Sequence, residues 1–254
     1  MIYLKSSDEI ELMAEAGRVC GSILYEIGDL IQPGISTLDI DMYVADAFRE
    51  AGMTAAFLGY RGFPASTCVS VNDEVVHGIP EADRKLAEGD IVGIDIAAIW
   101  KGYVGDAART YTVGEVSDTA RHLIDTCKQS FFDGLKMCRE GGRLTDIGNA
   151  IQKRTESQGF SVVRDYVGHG IGKDMHEDPQ IRNYGDPGRG PKLMKGMALA
   201  IEPMINEGTY KTEVQDNDWT VVTRDGKLSA HYENTVVITE GEPLVLTIDE
   251  REQV

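Results

Sequence analysis

Four carboxylates stand where the chain is otherwise apolar and β-branched. They are Asp95 in IVGIDIAAI, Asp106 in YVGDAARTYTV, Glu202 in MALAIEPM, and Glu233 ahead of the alternating run NTVVIT. Such runs read as strands, and an ionised carboxylate in a buried strand is costly unless it is protonated, paired or bound to a cation. A short turn near Trp100, Lys101 and Gly102 joins the first two runs as a hairpin. Centred on residues 100–101, that hairpin sets Asp95 opposite Asp106, with β-carbons ~5 Å apart. A strand end in solvent explains any one of these acids alone. The four together, with Asp95 and Glu202 related by an internal repeat, point to shared cations.

The five histidines offer the missing ligand type. His169 lies in FSVVRDYVGHGIG, where glycines at 168, 170 and 172 let the backbone bend beside the ring. His176 sits in DMHEDP and His77 in EVVHGIP; His122 falls on a polar helix face and reads as solvent-exposed. His231 precedes Glu233 by two positions, so a regular strand aims both at one face and makes His231 a neighbour of the site. Two Asp, two Glu and one His form an oxygen-rich set, which suits a pair of divalent first-row cations better than structural zinc or calcium. Cations ~3.5–4 Å apart activate water and clamp the tetrahedral intermediate of a hydrolysis. Metal-assisted hydrolysis is therefore the leading reaction class; spacing alone does not name the bond. Other motifs fail on detail. GHGIG lacks the G-x-G-x-x-G spacing, HED lacks a second His four residues on, and no G-K-[ST] or G-x-S-x-G occurs. Cys68 has no thiolate-activating context and reads as a small packing residue.

The 254 residues carry 25 basic and 42 acidic side chains, a net charge of −17. That balance disfavours nucleic acid or an anionic membrane surface as the main ligand, but not cationic metals. No run approaches the ~18 apolar residues of a membrane span, and the start MIYLKSSDEIELM lacks a signal-peptide layout. Cys20, Cys68, Cys127 and Cys138 show no C-x-x-C spacing and read as free thiols of a reducing cytosol.

The elements that position these residues occur twice. Ser6 and Glu9 form a capping box, followed by apolar residues at helical spacing from Ile10 to Ile31; Pro33-Gly34 stops that helix. A second helix runs from about Leu38 to Ala51-Gly52. RHLIDTCKQSFFDGLKMC and LTDIGNAIQKRTESQG repeat the layout. Cys20 and Cys127 stand 107 residues apart, as do Gly34 and Gly141, Asp39 and Asp146, Gly52 and Gly159, and Asp95 and Glu202. Two similar halves, about 10–115 and 117–240, are expected to share a sheet in one domain spanning 1–254, with helices outside.

Beyond this point the residues resemble a family. VSVNDEVVHGIP, GDIVGIDIAAIWKGYVGDAARTY, GFSVVRDYVGHGIGKDMHEDP, GMALAIEPM and LSAHYENTVVIT agree in order, spacing and type with type I, bacterial-type methionine aminopeptidases. The resemblance runs to about residue 247. It implies the α+β "pita-bread" fold, with pseudo-two-fold halves around a central cleft holding two divalent ions (Mn, Fe, Co or Zn). It implies that Asp95 chelates one metal, Asp106 and Glu233 bridge both, and His169 and Glu202 hold the other. His176 would donate to the substrate carbonyl, His77 would contact the peptide near the scissile nitrogen, and Glu202 would shuttle the proton. Phe57, Tyr60, Phe63, Cys68, Met175 and Trp219 would wall the methionine pocket. Substrates would be nascent chains with a small second residue, met in the cytoplasm by a monomer with transient ribosome contact.

Departures from the family pattern spare the ligands. Asn234 stands where His is common, and Val76 and Val167 where relatives sometimes carry Cys. Gly93 replaces a common Asn near an accessory monovalent-cation (potassium or sodium) site to which Ser229 would contribute. Two rivals share the fold. An X-Pro peptidase usually carries an extra N-terminal domain and further histidines, and a non-catalytic binding module usually loses ligands.

Overall fold

In the computed structural model, which describes residues 1–252, each half begins with a capped pair of helices. Helix α1 (Ser7–Ile27) starts at Ser6, whose hydroxyl accepts from Glu9 N while the Glu9 carboxylate accepts from Ser6 N. Helix α2 (Thr37–Glu50) repeats the device with Ser36 and Asp39. Helix α3 (Asp118–Leu135) is capped by Ser117, and in α4 (Leu144–Ser157) Asp146 accepts from Arg143 N. Such caps stabilise a helix by ~1 kcal/mol each. α1 ends earlier than its apolar spacing suggests. After Ile27 the chain tightens into a 3₁₀ turn, Gly28–Leu30, and Ile31 is extended yet still buried.

The 107-residue offset extends to tertiary contacts. Gly34 N donates to Leu86 O at 2.7 Å, and Gly141 N to Leu193 O at 2.8 Å. The isolated bridges Ser36↔Lys85 and Arg143↔Lys192 are related in the same way. Gly34 and Gly141 both take left-handed backbone, at φ 97° and 85°, which explains glycine at both positions.

A nine-stranded antiparallel sheet crosses from one half to the other. Its path runs Thr54–Ala55, Ile91–Trp100, Tyr103–Thr112, Glu233–Val237, Ala198–Ile201, Gly168–Gly170 and Glu177–Ile181. Thr67–Val71 also pairs with Ile91–Trp100, and Leu244–Val245 with Glu233–Val237. Ile94, Ile96 and Ala98 join the core under α1 and α2, whereas Leu199, Ile201 and Val236 join the core under α3 and α4. Because strand side chains alternate, burying Ile94 and Ile96 against helices turns Asp95 to the opposite face. This is the pita-bread arrangement: helices outside, and a central concave face carrying the acids.

The hairpin register corrects the expectation for Asp95 and Asp106. Trp100 pairs with Tyr103, so the turn is Lys101-Gly102, both left-handed at φ 47° and 82°. A two-residue turn of that kind matches strand twist and moves the centre of the hairpin by one position. Asp95 therefore faces Ala108, and Asp106 faces Ala97. The two acids share a face but lie on a diagonal, not directly opposite each other.

Candidate active site

The acids converge from four strands or strand ends. Asp95 and Asp106 come from the two arms of the long hairpin, Glu202 follows Ala198–Ile201, and Glu233 opens Glu233–Val237. His169 sits mid-strand between Gly168 and Gly170. These glycines are required for close approach rather than for a bend. A β-carbon on Gly168 would stand 2.4 Å from Ala200 O, and one on Gly170 2.1 Å from Asp178 O. His169 Nδ1 lies 3.0 Å from Gly170 O, which can only accept, so Nδ1 carries the proton and donates it while Nε2 is left as an electron-pair donor. Nε2 in turn lies 3.4 Å from Glu202 Oε1 and 4.0 Å from Asp106 Oδ2.

Two ligand groups share Glu233. Donor atoms of Asp106, His169 and Glu233 lie within 4.8 Å of one another, as do those of Asp95, His231 and Glu233. His231 is closer to the chemistry than its sequence position alone indicated. It belongs to a separate short strand, Ser229–His231, but its Nε2 lies 3.6 Å from Glu233 Oε2.

The electrostatics of this cluster fit a cationic occupant. Asp95 Oδ1, Asp106 Oδ1, Glu233 Oε1 and His231 Nε2 are buried without a hydrogen-bond partner. Burial, followed by repulsion from neighbouring carboxylates, pushes Asp95, Glu202 and Glu233 well above the ordinary carboxyl range. Burial pushes Asp106 up to about 7. Burial, helped by neighbouring His176, brings His169 down to about 4, so its imidazole is neutral at pH 7. Unpartnered carboxylate oxygens beside a neutral imidazole are costly by themselves and become favourable around divalent cations. The residues present fit such ions.

One cavity holds all the sequence-identified candidates. It is lined by Asp95, Asp106, His169, Glu202 and Glu233, by Phe57, Tyr60, Phe63, Cys68, Met175 and Trp219, and by His77 and His176. Phe57, Phe63, Cys68 and Met175 are buried. Phe63 meets Trp219 edge-on at 5.1 Å and Phe57 at 6.5 Å. Cys68 faces Asp95 across the sheet. Burial and then Asp95 raise its thiol well above the usual range, so it is an inert wall rather than a nucleophile. His77 takes left-handed backbone, φ 60°, and stands edge-on to Tyr166 at 5.8 Å and to Trp219 at 6.4 Å. His176 lies against His169, ring centroids 4.2 Å apart, and its Nδ1 is 2.9 Å from the Tyr60 hydroxyl. His122 is exposed and away from the cavity-lining set, as its helix face indicated.

Sequence reasoning missed two cations. Arg61 joins the cavity lining from the middle of the 3₁₀ turn Tyr60–Gly62, in left-handed backbone at φ 48°. Arg109 lies buried behind the site and donates to Glu233 O at 2.7 Å. The signal for Arg109 was present: a charge inside the strand segment GDAARTY, flanked by small residues.

Comparison with known proteins adds four findings. The profile of metallopeptidase family M24 matches residues 11–240. The chain is 54% identical to the methionine aminopeptidase of Clostridium acetobutylicum, over 98% of this chain and 100% of that one. The crystal structure of methionine aminopeptidase from Thermotoga maritima superposes with a TM-score of 0.97 at 45% identity, covering 98% of this chain and 100% of that chain. At the level of fold alone, the likeness reaches the prolidase from Pyrococcus furiosus, with TM-score 0.78 and 21% identity, covering 98% of this chain and 66% of that chain.

Proposed function

The chain belongs to metallopeptidase family M24 and, within it, to the bacterial-type methionine aminopeptidases, and on that premise we propose that it removes the N-terminal methionine of nascent proteins whose second residue is small. The observation that carries this is the single cavity in which unpartnered buried carboxylates face an apolar, aromatic wall. Asp95 is read as ligand to one divalent cation, Asp106 and Glu233 as shared ligands, and His169 and Glu202 as ligands to a second. Of this division, the two ligand groups support Glu233 as the shared residue and the separation of Asp95 from Asp106 and His169; Glu202 belongs to neither group, and His231 stands beside Asp95. Bound divalent cations supply Lewis acidity, polarising the scissile carbonyl and lowering the pKa of water. Mn, Fe, Co and Zn all suit the donor set, and cellular availability selects among them.

The chain's own residues do the rest. Phe57, Tyr60, Phe63, Cys68, Met175 and Trp219 enclose the methionine side chain, and Met175 offers a polarizable contact to a thioether. His176 donates to the oxygen on which charge develops. His77 contacts the peptide at the scissile nitrogen, and Glu202 moves a proton toward that nitrogen as it leaves.

The same reading makes residues 1–254 one catalytic domain, and the sheet continuous across both halves supports this. It also assigns the work to a cytoplasmic monomer that meets nascent N-termini with transient ribosome contact. Among the described residues no helix is long and apolar enough to cross a membrane. Release of methionine from Met-Ala-Ser but not of alanine from Ala-Pro peptides, with each metal restored in turn, tests the assignment. Preferential cleavage of Ala-Pro would replace it with an X-Pro peptidase.

A further inference from the structure

The seam between the two halves is thin where the metal-site carboxylates meet. The ladder joining Tyr103–Thr112 to Glu233–Val237 consists of two residue pairs, Glu233↔Ala108 and Asn234↔Ala107. Donor atoms of Asp106 and Glu233 come within 4.8 Å of one another across this seam, so the placement of its two strands sets their separation. A second set of bonds crosses it from behind. Arg109 Nη1 donates to Glu233 O at 2.7 Å and to Ala108 O at 2.9 Å, and Nη2 donates to Asn234 Oδ1 at 2.9 Å. Its Nε and Nη2 also grip the Glu252 carboxylate, at 3.0–3.2 Å. Glu252 accepts from the Tyr232 hydroxyl at 2.9 Å and lies 3.5 Å from Lys128 Nζ.

The C-terminal segment that delivers Glu252 is itself fixed. It packs on α1 where that helix carries glycine: a β-carbon on Gly17 would stand 2.4 Å from Leu246 O, and one on Gly21 2.7 Å from Thr247 O. Thr247 Oγ1 accepts from Thr235 N at 3.1 Å and donates to Asn234 Oδ1 at 2.9 Å. Thr235 Oγ1 in turn accepts from Asp106 N and donates to Asp106 O, both at 3.0 Å. The segment is thus laced to the backbone of both Asp106 and Glu233, while touching neither carboxylate.

We propose that Arg109 and Glu252 form a clamp that positions Glu233 relative to Asp106, and so sets the affinity of the metal centre. Both are positioning residues, acting through the Glu233 peptide and the Asn234 side chain. The proposal rests on Asp106 and Glu233 being shared metal ligands. A guanidinium fork is needed because one side chain must reach three carbonyls, of Ala108, Glu233 and Thr247, together with an amide and a carboxylate.

The test is a titration of metal-stripped, full-length protein with Mn(II) followed by calorimetry. Glu252→Gln keeps the shape and removes the charge that orients Arg109; Arg109→Lys keeps the charge and removes the fork. Each should weaken Mn(II) binding by on the order of 10–100-fold, the range for partners that orient ligands elsewhere. Glu252→Asp should recover part of the loss. Arg154→Gln, which breaks a remote ion pair with Asp133 at 2.6 Å, should lower the thermal midpoint without moving the metal affinity. Wild type that binds Mn(II) alongside Glu252→Gln within about twofold of it, well short of that range, overturns the clamp. Wild type that binds no Mn(II) overturns the metal assignment itself, and the clamp with it. If Arg109→Lys does not fold, the two Glu252 variants decide the matter.

Discussion

The Tyr60 hydroxyl lies 2.9 Å from Nδ1 of His176, and the two rings stack 5.4 Å apart at 22°. The contact fixes the imidazole in the cavity lining and, with the hydroxyl donating, leaves the proton on Nε2. His176 thus presents an oriented donor rather than a mobile one. His176→Ala should lower kcat by ~10²–10³ while KM changes little, because an oxyanion donor acts mainly in the transition state. Steady-state kinetics with Met-Ala-Ser, together with elemental analysis, check this. Loss of bound metal would make His176 a ligand instead.

Asp106→Asn separates catalysis from folding. As a ligand shared by two cations, Asp106 should be indispensable: the variant should lose metal and turnover at saturating metal. The fold should persist. Removing one charge from a cluster of like charges relieves repulsion, so the thermal midpoint of the stripped protein should not fall. Near-normal turnover would exclude the shared-ligand role.

Stability of the stripped protein should fall as pH rises above about 6.5. Asp106, held at about 7, and Asp95, Glu202 and Glu233, pushed well above the ordinary carboxyl range by burial and by one another, keep protons in the fold that the unfolded chain has lost above ~4. Each therefore removes stability as pH rises from ~4 toward its folded value. His77 and His169, lowered by burial to about 4, and His231, lowered to about 3, act in the opposite direction. Their unfolded forms hold protons up to ~6.5, so their contribution grows up to that pH and then stops. Above ~6.5 only the carboxylates remain. Scanning calorimetry should show a falling midpoint for stripped protein between about pH 6.5 and 8, and none for metal-loaded protein, whose ligands are already deprotonated. A rising midpoint in the stripped protein would contradict the carboxylate shifts.

Discrimination at the second residue should follow from the wall at His77. Left-handed backbone at His77 leads directly into Gly78, where a β-carbon would stand 2.1 Å from Val69 O. The turn is pinned, so the space it borders cannot widen cheaply. A β-branched residue, stiff at χ1, cannot fold away from such a wall. If the cost resembles overpacking at ~1–3 kcal/mol, Met-Ile-Ser should be cleaved roughly 5- to 150-fold more slowly than Met-Ala-Ser. Equal kcat/KM for the two peptides would show that no wall is present.

Much of the site was legible because acids in β-branched runs violate local hydrophobic patterning and stand out against it. Asp95, Asp106, Glu202 and Glu233 were each visible on that ground, and the 107-residue offset tied two of them together. Register was less legible. The diagonal of Asp95 and Asp106 depends on which two residues take left-handed backbone, and Lys101 does so without being glycine. The place of His231 was obscured by a break at Tyr232 between two strands of different sheets. The Arg109–Glu252 contact spans 143 residues and leaves no periodic trace, since it depends on tertiary packing of the C-terminal segment against α1.

The most direct test is metal-dependent release of methionine from Met-Ala-Ser. Protein stripped with chelator should be inactive and should regain turnover as Mn(II) is added. Asp106→Asn, Glu233→Gln and His169→Ala should each fail to regain it at the same metal concentration. Full turnover in the presence of chelator, or restoration in all three variants, would contradict the assignment of these side chains as the metal-holding centre of a methionine aminopeptidase.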